Sequence, residues 1–438
     1  MMDVPSPRLH FAPADHRVGD VHPIVVEGKC YLFYLKADVQ PPFQSALAVS
    51  DDLLRWRSVA LQHLRPQAKH AEYFVVAPFY DHQGGLYRSF FGLESSCSAD
   101  LVRWDRAEAY RLPRVPGVYL SQRDPCVTWD SRQEVWYCVM TCRQVGAPED
   151  AQGAIGLFKS KDLQNWTHCG PAVTGVPGEP ECPQLFPFAD RWVLLAAIQR
   201  GMVGGFTYWL ADGPEGTWSG SYVLDGEHFC APQVAWDGRR WLAFAWAPSN
   251  AARPGHQRWG GHLCLPREIV ARADGRLASR LPSDVSAAIR GDLLADFFTT
   301  AEEDKPGDAI AIPPNRRRGD LQVEIPAAAA QREVAVRFAR ADGTRFEVVY
   351  DPAGRRLCTR EGRAARSLTS TPCALGGKEG SVSPGLSLRV LWDTDLVETF
   401  LDDEYSLATR IEGPLAGSEL AVCAGREARV RLFEVRLP

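Results

Sequence analysis

Three carboxylic acids far apart in the chain stand in distinctive local contexts. Asp20 lies within residues 18–23, Asp124 lies in an Arg-Asp-Pro tripeptide after Arg123, and Glu181 opens a Glu-Cys-Pro tripeptide. Carboxyl groups crowded into one pocket push their pKa values apart, so one can hold a proton while another stays ionised. The three acids are therefore candidates for a catalytic set, with Arg123 offsetting part of their charge. The alternative for each aspartate is an ordinary turn residue.

A repeated pattern shows which elements must position these acids. Ser, Leu and Trp recur at fixed spacing in residues 50–56, 98–104 and 160–166, and a weaker copy follows at 213–218. The copies begin 48 and 62 residues apart, and periods of this size indicate a propeller or a solenoid. We expect the Asp-Leu of each copy to cap a tight turn between outer strands and the Trp to fill the space between blades. The alternative is ligand contact by the Trp.

The hydrophobic pattern predicts an all-β chain of two parts. Around each copy apolar residues alternate as in strands, and no long helical period precedes residue 280. Four strands per blade give about five blades before residue 290. Further on, alternating runs flank the hairpin dipeptide Asp342-Gly343, as in a β-sandwich. The prediction is a five-bladed β-propeller at residues 1–285 and a C-terminal β-sandwich at residues 295–438.

Four blocks, in order, resemble glycoside hydrolase family 32, the invertases, inulinases and levanases. They are the Arg-Asp-Pro and Glu-Cys-Pro tripeptides, residues 258–268 with 274–277, and residues 388–393 with 398–403. The resemblance covers nearly the whole chain. It implies that Asp20 is the nucleophile, Glu181 the general acid/base, and Asp124 the residue that binds sugar hydroxyls and stabilises the transition state. In a retaining glycosidase the first two carboxyls stand about 5–5.5 Å apart.

The implied function is a retaining glycoside hydrolase that cleaves a terminal β-fructofuranoside or a related furanoside, with a small oligosaccharide or glycoside as substrate. Two alternatives stay open. A fructosyl or intramolecular transferase would let a sugar hydroxyl replace water. A non-catalytic carbohydrate-binding propeller would keep the fold without turnover.

The first block departs from the family pattern around Asp20. Arg17, Gly19 and His22 stand where the family has Trp, Asn and Asn, Leu35 stands where it has Gln, and residues 74–78 replace a Phe-Ser-Gly-Ser block. A site that hydrogen-bonds particular hydroxyls rejects analogues, so altered partners predict a sugar other than plain sucrose or inulin. Arg17 and His22 would suit an anionic substituent; alternatively, Arg17 forms a surface ion pair and His22 caps a turn.

Two residues of the last blades are further candidates for the sugar pocket. Trp259 has a ring that would stack on a sugar face, and Asp225 lies where the family lines its pocket. The alternatives are blade packing for Trp259 and a turn for Asp225.

Composition limits the other possibilities. The 438 residues carry a net charge of −5, which gives no strong field for nucleic acid or an anionic membrane. The 12 cysteines contain no CxxC pair and the 10 histidines are scattered, so we expect free thiols, no metal and no cofactor. No apolar signal segment opens the chain, which predicts a cytoplasmic protein. A homodimer is compatible with the sequence.

Overall fold

The computed structural model describes residues 8–39, 44–63, 77–200, 203–250, 257–299, 309–327, 332–373, 385–424 and 427–437. The regular secondary structure of these residues is β-strand apart from one short helix and one 3-10 turn, as the alternating pattern predicted. All twelve cysteines lie among them, and none forms a disulfide. No helix in these ranges is both long and apolar enough to cross a membrane.

Five antiparallel sheets of four main strands follow one another in sequence. Blade one contains β1 (Arg17–Val26), β2 (Lys29–Ala37), β3 (Ser45–Ser50) and β4 (Arg57–Val59). Blade two contains β6 (Ala77–Asp81), β7 (Leu86–Phe91), β8 (Glu94–Ser98) and β9 (Arg103–Arg106), with the short β5 (Gln62–His63) parallel to β9. Blade three contains β10 (Tyr119–Asp130), β11 (Val135–Gln144), β12 (Gly153–Ser160) and β13 (Thr167–Val176), with a 3-10 turn at Glu149–Ala151. Blade four contains β14 (Pro180–Phe188), β15 (Arg191–Arg200), β16 (Val203–Ala211) and β17 (Ser219–Val223). Blade five contains β18 (Cys230–Trp236), β19 (Trp241–Asn250), a third strand split into β20 (Gln257–Leu263) and β21 (Arg267–Ala271), and β22 (Leu277–Arg280).

The first strands of the five blades form a closed ring. β1 contacts β6, β6 contacts β10, β10 contacts β14, β14 contacts β18, and β18 returns to β1. β20 of the last blade also pairs with β1 of the first, Gly261 opposite Val18. The five-bladed propeller predicted from the repeat is thus confirmed, and its axis is lined by the five first strands.

The repeated Ser-Asp-Leu-Trp pattern forms the turn between the third and fourth strands of a blade. In the first copy Oδ1 of Asp52 accepts the backbone N–H groups of Leu54 (3.0 Å) and Arg55 (2.7 Å), and Leu53 adopts a φ of 65°. The Trp56 indole N–H then donates to the Leu53 carbonyl at 3.2 Å. The other two copies repeat these bonds with Asp100 and Asp162. The predicted capping role is confirmed.

Each repeat tryptophan packs edge-on against a phenylalanine in the second strand of the preceding blade. The pairs are Trp104 on Phe33 (5.8 Å, 86°), Trp166 on Phe90 (5.9 Å, 83°) and Trp56 on Phe244 (6.2 Å, 87°). The last pair joins blade one to blade five and so closes the ring. Edge-to-face pairs stabilise beyond their buried area, which explains why the tryptophan recurs at blade spacing.

The C-terminal part is a sandwich of two six-stranded antiparallel sheets. One sheet, in spatial order, contains β23 (Arg290–Thr299), β34 (Ala428–Val435), β25 (Arg318–Ile325), β30 (Leu386–Asp393), β31 (Leu396–Leu401) and β32 (Tyr405–Arg410). The other contains β24 (Ile310–Ala311), β33 (Glu419–Cys423), β26 (Val334–Ala339), β27 (Arg345–Asp351), β28 (Arg356–Glu361) and β29 (Arg366–Pro372). Their facing side chains form one buried core around Trp392. The helix α1 (Ser283–Ile289) links the propeller to this sandwich. The domain limits at 285 and 295 stay a prediction.

Candidate active site

The first strands of blades one, three, four and five each carry a β-bulge, and the three candidate acids lie at or directly beside three of these bulges. In each, two residues stand opposite one residue of the neighbouring strand. The bulged pairs are Gly19-Asp20 opposite Leu35, Asp124-Pro125 opposite Met140, Cys182-Pro183 opposite Ala196, and Ala231-Pro232 opposite Ala245. Bulges redirect side chains and are common beside functional sites.

The three acids occupy three successive positions relative to the bulge. Glu181 directly precedes its bulged pair, Asp124 is the first member of its pair, and Asp20 is the second member of its pair. Asp124 and Cys182 have positive φ values of 51° and 49°, a strained geometry for non-glycine residues. Proline follows in both cases. Proline has no backbone N–H, so it fits a position where the pairing between strands is interrupted. The local fold thus directs acids from blades one, three and four towards the same axis.

Asp20 is bonded by a tryptophan of blade five. The Trp246 indole N–H donates to Oδ1 of Asp20 at 3.1 Å. Burial raises the pKa of Asp20 to about 7, with further contributions from the negative charges of Glu181 and Asp124, while the Trp246 hydrogen bond opposes the rise. The mutual influence of the three carboxyls means that they lie close enough to compete for protons.

Asp124 is fixed by its own blade and by the next. Its Oδ2 lies 3.0 Å from the Thr141 hydroxyl and 3.4 Å from the Cys182 backbone N–H. The same Thr141 hydroxyl lies 2.9 Å from the carbonyl of Pro180, so it connects the bulges of blades three and four. Burial raises the pKa of Asp124, and the nearby Arg123 partly opposes this effect.

Arg123 is the cation at the centre of the acids. Its Nη2 donates to Oε1 of Glu181 at 2.6 Å, its Nε lies 3.4 Å from Oδ2 of Asp124, and its Nη1 pairs with Glu179. Burial and the charge of Asp124 raise the pKa of Glu181, and Arg123 acts in the opposite direction. Asp124 and Glu181 keep 28% and 31% of their side-chain surface exposed, so a ligand has access to them.

Trp259 and Arg17 flank the Asp20 bulge. The indole of Trp259 covers Gly19 so closely that a Cβ there would lie 2.3 Å from its ring, and it packs on Trp246 at 5.7 Å. Arg17 pairs with Asp38, Nη2 to Oδ1 at 2.7 Å, and its Nη1 donates to the Gly260 carbonyl. Trp259 is therefore next to the candidate nucleophile, and Arg17 forms the ion pair that was one of its two predicted roles.

Two predicted substrate contacts are corrected. His22 is only 6% exposed, and burial lowers its pKa to about 3. A hydrogen bond with Gln233 acts in the opposite direction but is the smaller effect. The imidazole is therefore neutral and buried against Gln233 of β18. Asp225 is 1% exposed and binds the sandwich, accepting from the Ser406 hydroxyl (2.6 Å) and the Ala408 backbone N–H (3.0 Å). Residues 74–76 of the replaced Phe-Ser-Gly-Ser block lie outside the described residues.

Sequence reasoning missed Trp246, Thr141 and Glu179. Trp246 and Thr141 lie within the apolar runs of second strands, where a packing role is the default interpretation. One signal was present in the sequence: Cys230-Ala231-Pro232 repeats the pattern of the two acidic tripeptides and marks the fifth-blade bulge. Trp246 stands directly opposite Cys230 in that blade.

Comparison with known proteins identifies matching family models and similar proteins. The family model described as Glycosyl hydrolases family 32 N-terminal domain matches residues 111–280, and the model for the family 32 C terminal matches residues 294–428. A sucrose-6-phosphate hydrolase of Salmonella typhimurium is 24% identical, over 97% of this chain and 91% of that protein. A levanbiose-producing levanase of Bacillus subtilis is 25% identical over 54% of this chain and 46% of its own length, so the chain spans about half of that relative.

Solved structures show the same fold. A β-fructofuranosidase from Bombyx mori superposes with a TM-score of 0.76 at 18% identity, covering 99% of this chain and 94% of the other. An exo-inulinase from Aspergillus awamori gives a TM-score of 0.76 at 16% identity, with both chains fully covered. These similarities extend over the propeller and the sandwich together.

Proposed function

The chain belongs to glycosyl hydrolase family 32, and we propose that it is a retaining glycosidase that releases a terminal β-fructofuranosyl or related furanosyl group. The observation that carries the proposal is the convergence of three carboxyl groups from three blades: Arg123 contacts both Asp124 and Glu181, and the charges of these two acids act on Asp20. Retaining hydrolysis requires two neighbouring carboxyl groups of opposite protonation, and the electrostatic influence of Glu181 on Asp20 supports such a pair.

In the proposed reaction Asp20 attacks the anomeric carbon and Glu181 donates its proton to the leaving oxygen. Because Trp246 occupies Oδ1 of Asp20, we expect Oδ2 to be the attacking oxygen. Water then enters, Glu181 takes a proton from it, and the bond between Asp20 and the sugar breaks with release of the free sugar. Asp124, fixed by Thr141 and the Cys182 N–H, would bind ring hydroxyls throughout.

Because their pKa values are raised, the three carboxyl groups can keep the proton that this reaction needs. Burial and mutual repulsion raise the pKa values of Asp20, Asp124 and Glu181, so the set retains a proton towards neutral pH. Substrate cleavage requires that proton on Glu181 and a negative charge on Asp20. Since the carboxyls titrate together, the pH dependence reports the set as a whole and not one residue.

We propose a sugar other than plain sucrose, inulin or levan. Gly19 and Leu35 replace polar residues of the family pattern at the Asp20 bulge, and the Trp259 indole occupies the space above Gly19. An apolar indole wall in place of amide groups favours a different set of hydroxyls. Neither His22 nor Arg17 supports recognition of an anionic substituent on the sugar. His22 is buried, and the charge of Arg17 is paired with Asp38.

The test is turnover of sucrose, 1-kestose, inulin, levan and synthetic aryl β-furanosides by purified protein, with the anomeric configuration of the first product read by NMR. We expect an aryl furanoside to be cleaved with retention, and the isosteric Asp20→Asn and Glu181→Gln variants to lose nearly all activity. Glu419→Gln, at the exposed first residue of β33 in the sandwich, is the matched control. Inversion, or full activity of Asp20→Asn, would overturn the mechanism, and fast hydrolysis of sucrose, inulin or levan would overturn the substrate proposal.

Two other functions give different results in the same experiment. Transfer of the furanosyl group to an added sugar acceptor in preference to water would identify a transferase. Ligand binding without turnover, unchanged in Asp20→Asn, would identify a carbohydrate-binding protein. We also propose a cytoplasmic location, which the absence of disulfides among twelve cysteines supports.

A further inference from the structure

A fourth carboxylate, Glu179, lies at the edge of the acid cluster and has no assigned role. It pairs through Oε2 with Nη1 of Arg123, while Arg123 gives Nη2 to Glu181 and Nε to Asp124. Each of the three guanidinium nitrogens therefore faces a different carboxylate. Arg123 cannot turn towards one of these partners without loosening its contact with the others.

Glu179 also contacts a second cation. Its Oε1 lies 3.6 Å from Nε of Arg143, and Arg143 in turn donates to Oε1 of Gln152 from Nε (3.2 Å) and Nη2 (2.6 Å). Glu179 is 23% exposed, less than Arg143 at 42%. The carboxylate is thus held between two guanidinium groups at the side of the cluster that faces blade three.

The backbone around Glu179 is positioned by close packing. A Cβ on Gly153 would lie 2.4 Å from the Gly178 carbonyl and 2.6 Å from that of Val176, so only glycine lets the segment before Glu179 pass here. The next residue, Pro180, has its carbonyl 2.9 Å from the Thr141 hydroxyl, which also contacts Asp124. Glu179 is therefore fixed relative to the acids by main-chain contacts on both sides.

We propose that Glu179 is a positioning residue that shares Arg123 with Glu181 and so lets Glu181 carry the proton for the leaving group. The inference rests on the function proposed above. If Arg123 faced only Glu181 and Asp124, its whole charge would hold both ionised, and an ionised Glu181 cannot protonate a leaving oxygen. Glu179 pairs with Arg123 and so offsets part of the positive charge that acts on Glu181. The negative charge of Glu179 also acts on Glu181 directly.

The electrostatic direction is unambiguous. A like charge disfavours ionisation of a neighbouring carboxyl, and the charge of Glu179 raises the pKa of Glu181 and of Asp124. Removing that charge while leaving Arg123 in place lowers the pKa of Glu181. With partial solvent screening, we expect a decrease of about 0.5–1 pH unit.

The experiment measures the pKa of Glu181 directly by 13C NMR of protein labelled at glutamate carboxyls, with Glu181→Gln used to assign the signal. We expect a lower value in Glu179→Gln, a near-native value in Glu179→Asp, and a higher value in Arg143→Gln, which removes a positive charge. The exposed Asp212→Asn is the control for loss of one charge elsewhere. An unchanged Glu181 pKa in a folded Glu179→Gln protein overturns the inference.

The pH–rate profile provides the functional measurement, with whichever furanoside is turned over. The basic limb of kcat/KM should move to lower pH in Glu179→Gln and return in Glu179→Asp, with little change in thermal midpoint. A fall in activity that is equal at every pH would reveal a merely structural role and would also overturn the inference. If no furanoside is cleaved, the proposed function fails, whereas the NMR titration still decides whether Glu179 controls the proton of Glu181.

Discussion

The indole N–H of Trp246 donates to Oδ1 of Asp20 at 3.1 Å, which links the second strand of the last blade to the first strand of the first. This bond spans the junction where the ring of blades closes. The candidate nucleophile therefore has its orientation set by the same closure that Trp56 and Phe244 complete at the outer edge. A contact that orients the candidate nucleophile is thus also a contact between the first and last blades.

Loss of the Trp246 hydrogen bond should weaken activity most at acidic pH. The bond stabilises the ionised Asp20, so Trp246→Phe raises the pKa of Asp20 further and reduces the fraction of nucleophile available. We expect kcat/KM to fall by about 10-fold on the acidic limb and less near neutrality. The control is Trp241→Phe in the same strand, and an identical pH profile for the two variants would contradict the prediction.

Neutralising Asp20 should stabilise the protein at high pH while it abolishes activity. The folded pKa of about 7 lies above the ordinary value of 3.8, so the folded state binds the proton more tightly than the unfolded state does. Stability is therefore lost as pH rises from about 4 to 7, and Asp20→Asn removes that loss. Allowing for solvent screening, we expect a gain of ~1–3 kcal/mol at about pH 8 and almost none at about pH 4. Urea unfolding at the two pH values measures it, and an equal effect at both would refute the pKa assignment.

A single methyl group on Gly19 should disturb the site without unfolding the blade. The added Cβ would lie 2.3 Å from the Trp259 ring, so Gly19→Ala must displace the indole beside Asp20. We expect a decrease in kcat/KM of at least about 10-fold with a modest loss of stability. Gly117→Ala is the matched control, because nothing lies within 4 Å of its Cβ. Full activity of Gly19→Ala would show that Trp259 has no part in the site.

The junction between propeller and sandwich should depend on Glu398. Its Oε1 accepts from His10 Nε2 and the Leu265 backbone N–H, both at 2.7 Å, and its Oε2 pairs with the buried Arg267. Burial alone would raise the pKa of Glu398, but Arg267 and His10 lower it to about 2.

Glu398→Gln leaves Arg267 buried with less countercharge, and we expect a loss of about 3–5 kcal/mol in the free energy of unfolding at neutral pH. The contribution of the native glutamate is present above the unfolded pKa near 4.5 and disappears as pH falls towards 2, so the difference between wild type and variant shrinks in acid. Glu419→Gln, at an exposed position of the sandwich, should change stability by less than about 0.5 kcal/mol. A difference that grows in acid would contradict the assigned sign.

The sequence by itself determined the strands, the repeat and the three acids. Alternating apolar residues define strands because one residue in two faces a core, and the Ser-Asp-Leu-Trp turn is built from bonds within seven consecutive residues. Such local chemistry can be read without the fold, which is why the capping role and the interblade tryptophan were correctly predicted. The acid motifs could be recognised for the same reason, since each bulge is specified by two or three adjacent residues.

Only the tertiary structure decided which polar residues share a site. Asp225 and His22 carry the right chemistry, yet one lies against the sandwich and the other is buried in the ring, whereas Glu179 and Trp246 reach the acids. These outcomes depend on contacts between residues tens to hundreds of positions apart, as between Asp20 and Trp246. Such long-range contacts form only where the ring closes and where the sandwich packs on the propeller, and a local pattern of residues does not encode them.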